Sequence, residues 1–247
     1  MATLPACASR NDPSREPALG LSPTDDSAIS STATREFSPD QVTREPWTFA
    51  DAQGFIISTP NYRIYTTIDD DRILIRLPVF LERALAHYTT AITDLPLPTN
   101  RLETYLFRTR GQWQLKTQQL LPDQADMFAN LGRGGFTTKG ISVLYYIDWY
   151  GYTRDTFAIA AHEGWHQYTQ QTFKHQLPIW LEEGVATYME GYRTNDGEAT
   201  FQPSANRERR DALRSAVRSG QLIPLKELLS RTPQGFLDSG KNRLLRY

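Results

Sequence analysis

His162 and His166 stand four positions apart with Glu163 directly after the first, and no other feature of the 247-residue chain constrains its folding as tightly. On an α-helix, residues four apart lie one above the other, so both imidazoles can present a nitrogen to one ion at about 2.0–2.1 Å, while Glu163 sits about 100° round the axis. The surrounding pattern agrees with a helix. Phe157, Ala161, Trp165 and Tyr168 form an apolar stripe at i, i+4, i+8 and i+11, and the histidines lie on an adjacent strip rather than within it.

Two histidines do not complete a metal site, and the further ligand is expected from a second helix. Pro178 suits a first turn, and Ile179, Trp180, Leu181, Val185 and Ala186 recur at helical spacing after it. Glu183 lies on this stretch. The intervening chain is long enough for the first helix to end near Gln171, reverse through Lys174 to Leu177, and return alongside. Glu182 points about 100° away from Glu183, toward solvent or another partner. Zinc with three protein ligands keeps a position for water, whose pKa falls to about 7. A carboxylate placed as Glu163 is can take the proton as that water attacks a carbonyl.

His162-Glu163-Gly164-Trp165-His166 with the downstream Trp180-Leu181-Glu182-Glu183-Gly184-Val185-Ala186 resembles the gluzincin clan of zinc peptidases, including the peptidase-MA-like bacterial proteins of uncharacterised function. The likeness spans roughly residues 130 to 192. It implies a zinc metallopeptidase in which His162, His166 and Glu183 hold zinc and Glu163 is the general base, acting on a peptide or protein substrate. Thermolysin-type members place an acidic residue four positions after the glutamate ligand to hold the first histidine. Thr187 occupies that position here, and Glu190, a further turn along the same face, is the substitute. The clan meets the transition-state oxyanion with a Tyr or His; Tyr145, Tyr146, Tyr188 and Tyr192 are the candidates, and Tyr192 is the one we assign.

The fold expected around these motifs is α+β: a small N-terminal mixed sheet with helices, then a helical zincin-like half. Phe55–Ile57 and Tyr62–Ile68 read as a strand pair around the turn Ser58-Thr59-Pro60-Asn61. A helix is expected from Pro78 to Asp94, a strand from Leu102 to Arg108 and a short helix from Gln112 to Leu121. Gly132-Arg133-Gly134-Gly135-Phe136 and then Gly140–Ile147 precede the motif helix. They read either as the edge strand that, in gluzincins, pairs with substrate backbone, or as a turn followed by a buried strand. Asn206–Arg218 reads as a helix whose arginines form a solvated face or an acidic-partner site, and Leu222–Leu229 as a short helix behind Pro224. His87 and His175 read as a structural and a solvated loop histidine.

A hydrophobic share of 39% allows one sizeable core, and a net charge of −1 provides no electrostatic footprint for nucleic acid. The single cysteine, Cys7, excludes an intramolecular disulfide, and no run of about 18 apolar residues reads as a transmembrane helix. Residues 1–46, rich in Ser, Thr, Pro and Asp, are expected to be a disordered leader, and residues 47–247 the metallopeptidase domain. Leu4-Pro5-Ala6-Cys7 resembles the end of a bacterial lipoprotein signal, which would make Cys7 a lipid anchor and the location extracytoplasmic, at the periplasm or cell surface. A secretory signal needs 7–15 apolar residues before its cleavage site, so this reading requires sequence upstream of Met1; otherwise Cys7 is an exposed thiol. Leu244–Tyr247 carries no helix stop, and the chain is expected to continue beyond it. The alternative function is a noncatalytic, zinc-stabilised, surface-tethered binding module; hydrolysis of a nonpeptide amide would use the same site.

Overall fold

The computed structural model describes residues 37–126, 134–147, 154–195 and 197–232. Cys7, Gly132, Arg133 and Leu244–Tyr247 lie outside the described residues, as does nearly all of the expected leader. Strand β1 (Thr43–Phe49), which contains Trp47, pairs antiparallel with β2 (Ala52–Ser58). β2 pairs antiparallel with β3 (Tyr62–Thr66), the expected strand pair. β3, β4 (Leu102–Phe107) and β6 (Ile141–Tyr145) then run parallel, and β5 (Gly135–Thr138) closes the order β1-β2-β3-β4-β6-β5 as an antiparallel edge. The class is α+β, with a six-stranded mixed sheet larger than the small one expected and six helices among the described residues.

Parallel neighbours need crossovers. Helix α1 (Asp71–Thr90) links β3 to β4, and α2 (Arg110–Leu120) lies between β4 and β5. Side-chain alternation along β4 separates two cores: Leu102 and Leu106 face α1, whereas Tyr105 and Phe107 face the fully buried Trp113 of α2. Helix α3 (Arg154–Thr172), carrying the histidine motif, packs on the α1 side with Phe157, Ala161, Trp165 and Tyr168 buried, the stripe expected from its sequence. Helix α4 (Ile179–Met189) lies against α3. A small hairpin of β7 (Tyr192–Asn195) and β8 (Glu198–Phe201) leads to α5 (Arg207–Arg218) and α6 (Leu225–Ser230). None of the described helices is long and apolar enough to cross a membrane.

Helix α1 starts seven residues before the expected Pro78, which lies in its interior. The Asp70 side chain caps it, accepting from the Arg72 amide at 2.9 Å. Ile73, Leu74 and Leu77 are buried ahead of the proline. At about 1.5–3 kcal/mol each, they outweigh the roughly 3 kcal/mol cost of an interior proline.

The β5–β6 connection is a two-residue turn with Lys139 at φ 50° and Gly140 at φ 73°, the primed geometry whose twist suits a tight hairpin. The Tyr145 amide donates to the Gly134 carbonyl, which sets the hydrogen-bond phase of the pair. It follows that the backbone groups of Phe136 and Thr138 bond to β6, while those of Gly135 and Thr137 point toward the outer edge of the sheet.

Candidate metal centre

Three side chains converge where α3 meets α4. His162 Nε2 and His166 Nε2 face each other at 3.2 Å; Glu183 Oε2 lies 3.4 Å from the first, and Oε1 3.7 Å from the second. Donors held about 2.0–2.1 Å from a tetrahedral centre are about 3.3 Å apart, so the spacing suits a small cation. These residues could hold a metal ion, and no other such group of histidine, cysteine and acidic side chains occurs among the described residues.

Each histidine is oriented from behind. His162 Nδ1–H donates to Glu190 Oε1 at 2.8 Å, and His166 Nδ1–H donates to Glu182 Oε1 at 2.8 Å, which leaves both Nε2 atoms directed at Glu183. Glu182 therefore meets another partner rather than solvent. Thr169 also donates to it, at 2.7 Å. Thr187 does not orient His162: its buried Oγ1 has no hydrogen-bond partner among the described residues, and Glu190, at the end of α4, takes that position.

The electrostatics favour a cation here. Burial alone would push the His162 imidazolium down, but the Glu183 and Glu190 carboxylates, with Glu163 nearby, hold its pKa up at about 10. Burial would raise Glu190, yet His162 and Arg209 hold it down at about 2; Glu183 is likewise held below the ordinary carboxylate value, against its burial, by His162, His166 and Arg209.

Glu163, 9% exposed, follows His162 on α3, and its Oε2 accepts from the Thr137 hydroxyl of β5 at 2.8 Å. Gln167, fully buried, ties the same helix to the sheet by donating to the carbonyls of Glu103 and Gly140 and accepting from Thr104. Between the two histidines, Gly164 is required by close approach. A Cβ there would lie 2.6 Å from the hydroxyl of Tyr88, which donates to the Ala161 carbonyl.

The four tyrosine candidates for the oxyanion role sit in different surroundings. Tyr192 is 4% exposed, with its ring edge-on to Phe80 at 4.9 Å in the apolar core. Tyr188 stacks toward His87, and Tyr145 packs edge-on against Trp113. Tyr146 packs beside the α1–α3 core. His87 stacks on Phe201, and His175 is exposed; neither belongs to the group that could hold a metal ion. Of the segment read either as an edge strand or as a turn and a buried strand, Ile141–Tyr145 is the inner strand β6 and Gly135–Thr138 is the sheet edge β5.

Sequence reasoning missed Thr137, Gln167 and Arg209. Only Gln167 left a local trace, as a polar side chain next to a buried stripe. Arg209 belongs to the α5 face read as solvated, but its guanidinium grips Glu190 through Nε at 3.1 Å and Nη2 at 3.0 Å.

Fold and site together define an α+β protein with a paired-helix His2Glu group able to hold a metal ion. Neither a scan against protein-family models nor comparisons with curated proteins and with solved structures finds a match.

Proposed function

We propose that this protein is a zinc-dependent hydrolase that cleaves peptide bonds in extended polypeptide segments, with Glu163 as general base. The observation that carries the proposal is the convergence of the two imidazole Nε2 atoms, 3.2 Å apart, with the Glu183 carboxylate, whose oxygens lie 3.4 and 3.7 Å from them, at a site where the charge of the neighbouring Glu163 acts on His162. Two imidazoles and one carboxylate favour zinc over magnesium or calcium, which select oxygen-rich sites. A bound zinc ion supplies Lewis acidity, polarising a carbonyl and acidifying water toward a pKa of about 7. In this reading Glu163 takes a proton from the attacking water and returns it to the leaving amine. Glu190 and Glu182 keep the His162 and His166 rings turned toward the ion.

The edge strand supports a peptide as the substrate class. Backbone groups of Gly135 and Thr137 point away from β6, the arrangement that lets an extended chain add as a further strand. The same residue, Thr137, holds Glu163 through its side chain.

Elemental analysis of wild type and His162→Ala, paired with hydrolysis of a quenched-fluorescent peptide library with and without chelator, tests the proposal. About one zinc per chain that is lost in the variant, together with chelator-sensitive cleavage, is the expected result. Zinc without cleavage would transfer the reading to a zinc-stabilised binding module, and absence of zinc from the wild type would overturn both.

A further inference from the structure

Glu190 accepts more hydrogen bonds than holding a histidine requires. Its Oε1 receives His162 Nδ1–H at 2.8 Å and Arg209 Nη2 at 3.0 Å; its Oε2 receives Asn206 Nδ2 at 2.7 Å and Arg209 Nε at 3.1 Å. The guanidinium therefore binds in fork fashion, with one nitrogen to each oxygen, the geometry that fixes a carboxylate in rotation as well as position. The pair is largely shielded from solvent, with side chains 26% and 10% exposed for Arg209 and Glu190, so it escapes most of the screening that weakens surface ion pairs.

Both donors belong to the start of α5. Asn206 is its N-cap, using Oδ1 to accept from the Arg209 amide while its Nδ2 reaches Glu190. The β7–β8 hairpin brings them there: the Gln202 amide donates to the Gly191 carbonyl at 2.7 Å, closing the loop between Glu190 and Asn206. The rest of α5 is thinly anchored. Ala216 is its one buried residue, and Leu213 and Val217 are about half exposed. A helix with so little apolar burial draws much of its fixed position from polar contacts at its N-terminal end.

We propose that Arg209 and Asn206 are positioning residues for the metal site, acting through Glu190 on the His162 ring, so that docking of α5 and metal affinity are thermodynamically linked. The proposal rests on the reading that this site binds zinc. Linkage is reciprocal: if a docked α5 strengthens metal binding, the metal must strengthen α5 docking by the same factor. The helix lies beyond the motif region and contributes no ligand, yet it would set how tightly the ion is held. Whatever displaces α5 would loosen the metal.

The experiment is a zinc-affinity series by competition with a chromophoric chelator, using the whole chain as wild type, Arg209→Met, Arg209→Lys and Asn206→Ser. Far-UV circular dichroism verifies that each is folded. Arg209→Met should bind zinc roughly ten- to a hundredfold more weakly, the usual effect of removing a group that orients a ligand. Arg209→Lys, which keeps the charge and loses the fork, should fall between. Asn206→Ser retains a helix cap while deleting the amide donor, and should weaken binding severalfold with α5 intact, which keeps the proposal testable should Arg209→Met not fold.

Two further readouts separate positioning from general support of the fold. The visible spectrum of the cobalt-substituted protein should shift in Arg209→Met, because the His162 ring changes orientation. Zinc should slow amide exchange across residues 207–218 in wild type and not in Arg209→Met. Zinc affinity within twofold of wild type in Arg209→Met and Asn206→Ser, with an unchanged cobalt spectrum, overturns this proposal alone; a wild type that binds no zinc overturns it together with the function it rests on.

Discussion

The hydroxyl of Thr137 donates to Glu163 Oε2 at 2.8 Å, joining the edge strand of the sheet to the residue that follows the first histidine of the motif. Backbone groups of that threonine point outward along the sheet edge, so one residue both exposes edge backbone and holds the proposed base. A hydrogen bond to a charged group contributes about 1.5–3 kcal/mol. Thr137→Val should therefore lower kcat for peptide cleavage about tenfold or more with zinc content unchanged, and Thr137→Ser should restore most of it. Steady-state kinetics on a single peptide decides the matter; an unaltered kcat in the valine variant would remove Thr137 from the mechanism.

Glu163 and His166 should separate chemistry from metal binding. Glu163→Gln is expected to retain zinc and lose at least about a hundredfold in turnover, the scale of a lost general base. His166→Ala, which deletes one of three ligands, should lose both. Zinc analysis alongside activity on the purified variants tests this, and wild-type turnover in Glu163→Gln would end the general-base assignment.

The split between what the sequence made legible and what it hid follows contact range. The motif helix, the Pro178 helix and the β2–β3 pair were readable because period and turn residues are local signals. Glu190 was within reach because it continues the face of α4. The fork from Arg209 spans 19 residues across a hairpin, and the Thr137–Glu163 bond spans 26 between a strand and a helix. No periodicity reports such distances. Pro78 misled for a related reason: a local helix-start signal was overridden by tertiary burial of Ile73, Leu74 and Leu77. No motif position singled out Tyr192 among the four tyrosine candidates, and nothing local to it reports that Phe80 and Phe201 pack against its ring.

Removing zinc from the proposed site should cost stability while leaving the fold in place, since both cores are built from apolar side chains of the sheet and of α1, α2, α3 and α4 that do not include His162, His166 or Glu183. With zinc at about a hundred times its Kd, the binding contribution is about 2.7 kcal/mol. Chelation should then lower Tm by roughly 5–10 °C. Differential scanning calorimetry checks this, and Glu182→Ala, which frees the His166 ring, should show a smaller shift on chelation because its zinc is already held less tightly.

Two helical glycines should respond in opposite directions. At Gly164 a Cβ would approach the buried Tyr88 hydroxyl to 2.6 Å, whereas at Gly184 it would meet no described atom within 4 Å. Gly164→Ala should destabilise by about 1–2 kcal/mol, overpacking outweighing the better helix propensity. Gly184→Ala should stabilise by about 0.5–1 kcal/mol. Urea denaturation of the two variants measures both, and equal effects would contradict the packing described between α1 and α3.

The glutamines of α3 grip the β5–β6 turn from both sides. Gln170 accepts from the Gly140 amide at 2.8 Å, and Gln167 donates to the Gly140 carbonyl at 3.1 Å. The edge strand and the histidine helix are thereby fastened into one jaw of fixed gape. The opposite jaw, α4, has Val185, Ala186 and Met189 as its only buried residues of eleven, so under the proposed function it is the side expected to give way to a bulky chain. Glu183 rides on that jaw, so under the proposed function admitting a large substrate and loosening the ion would be the same movement.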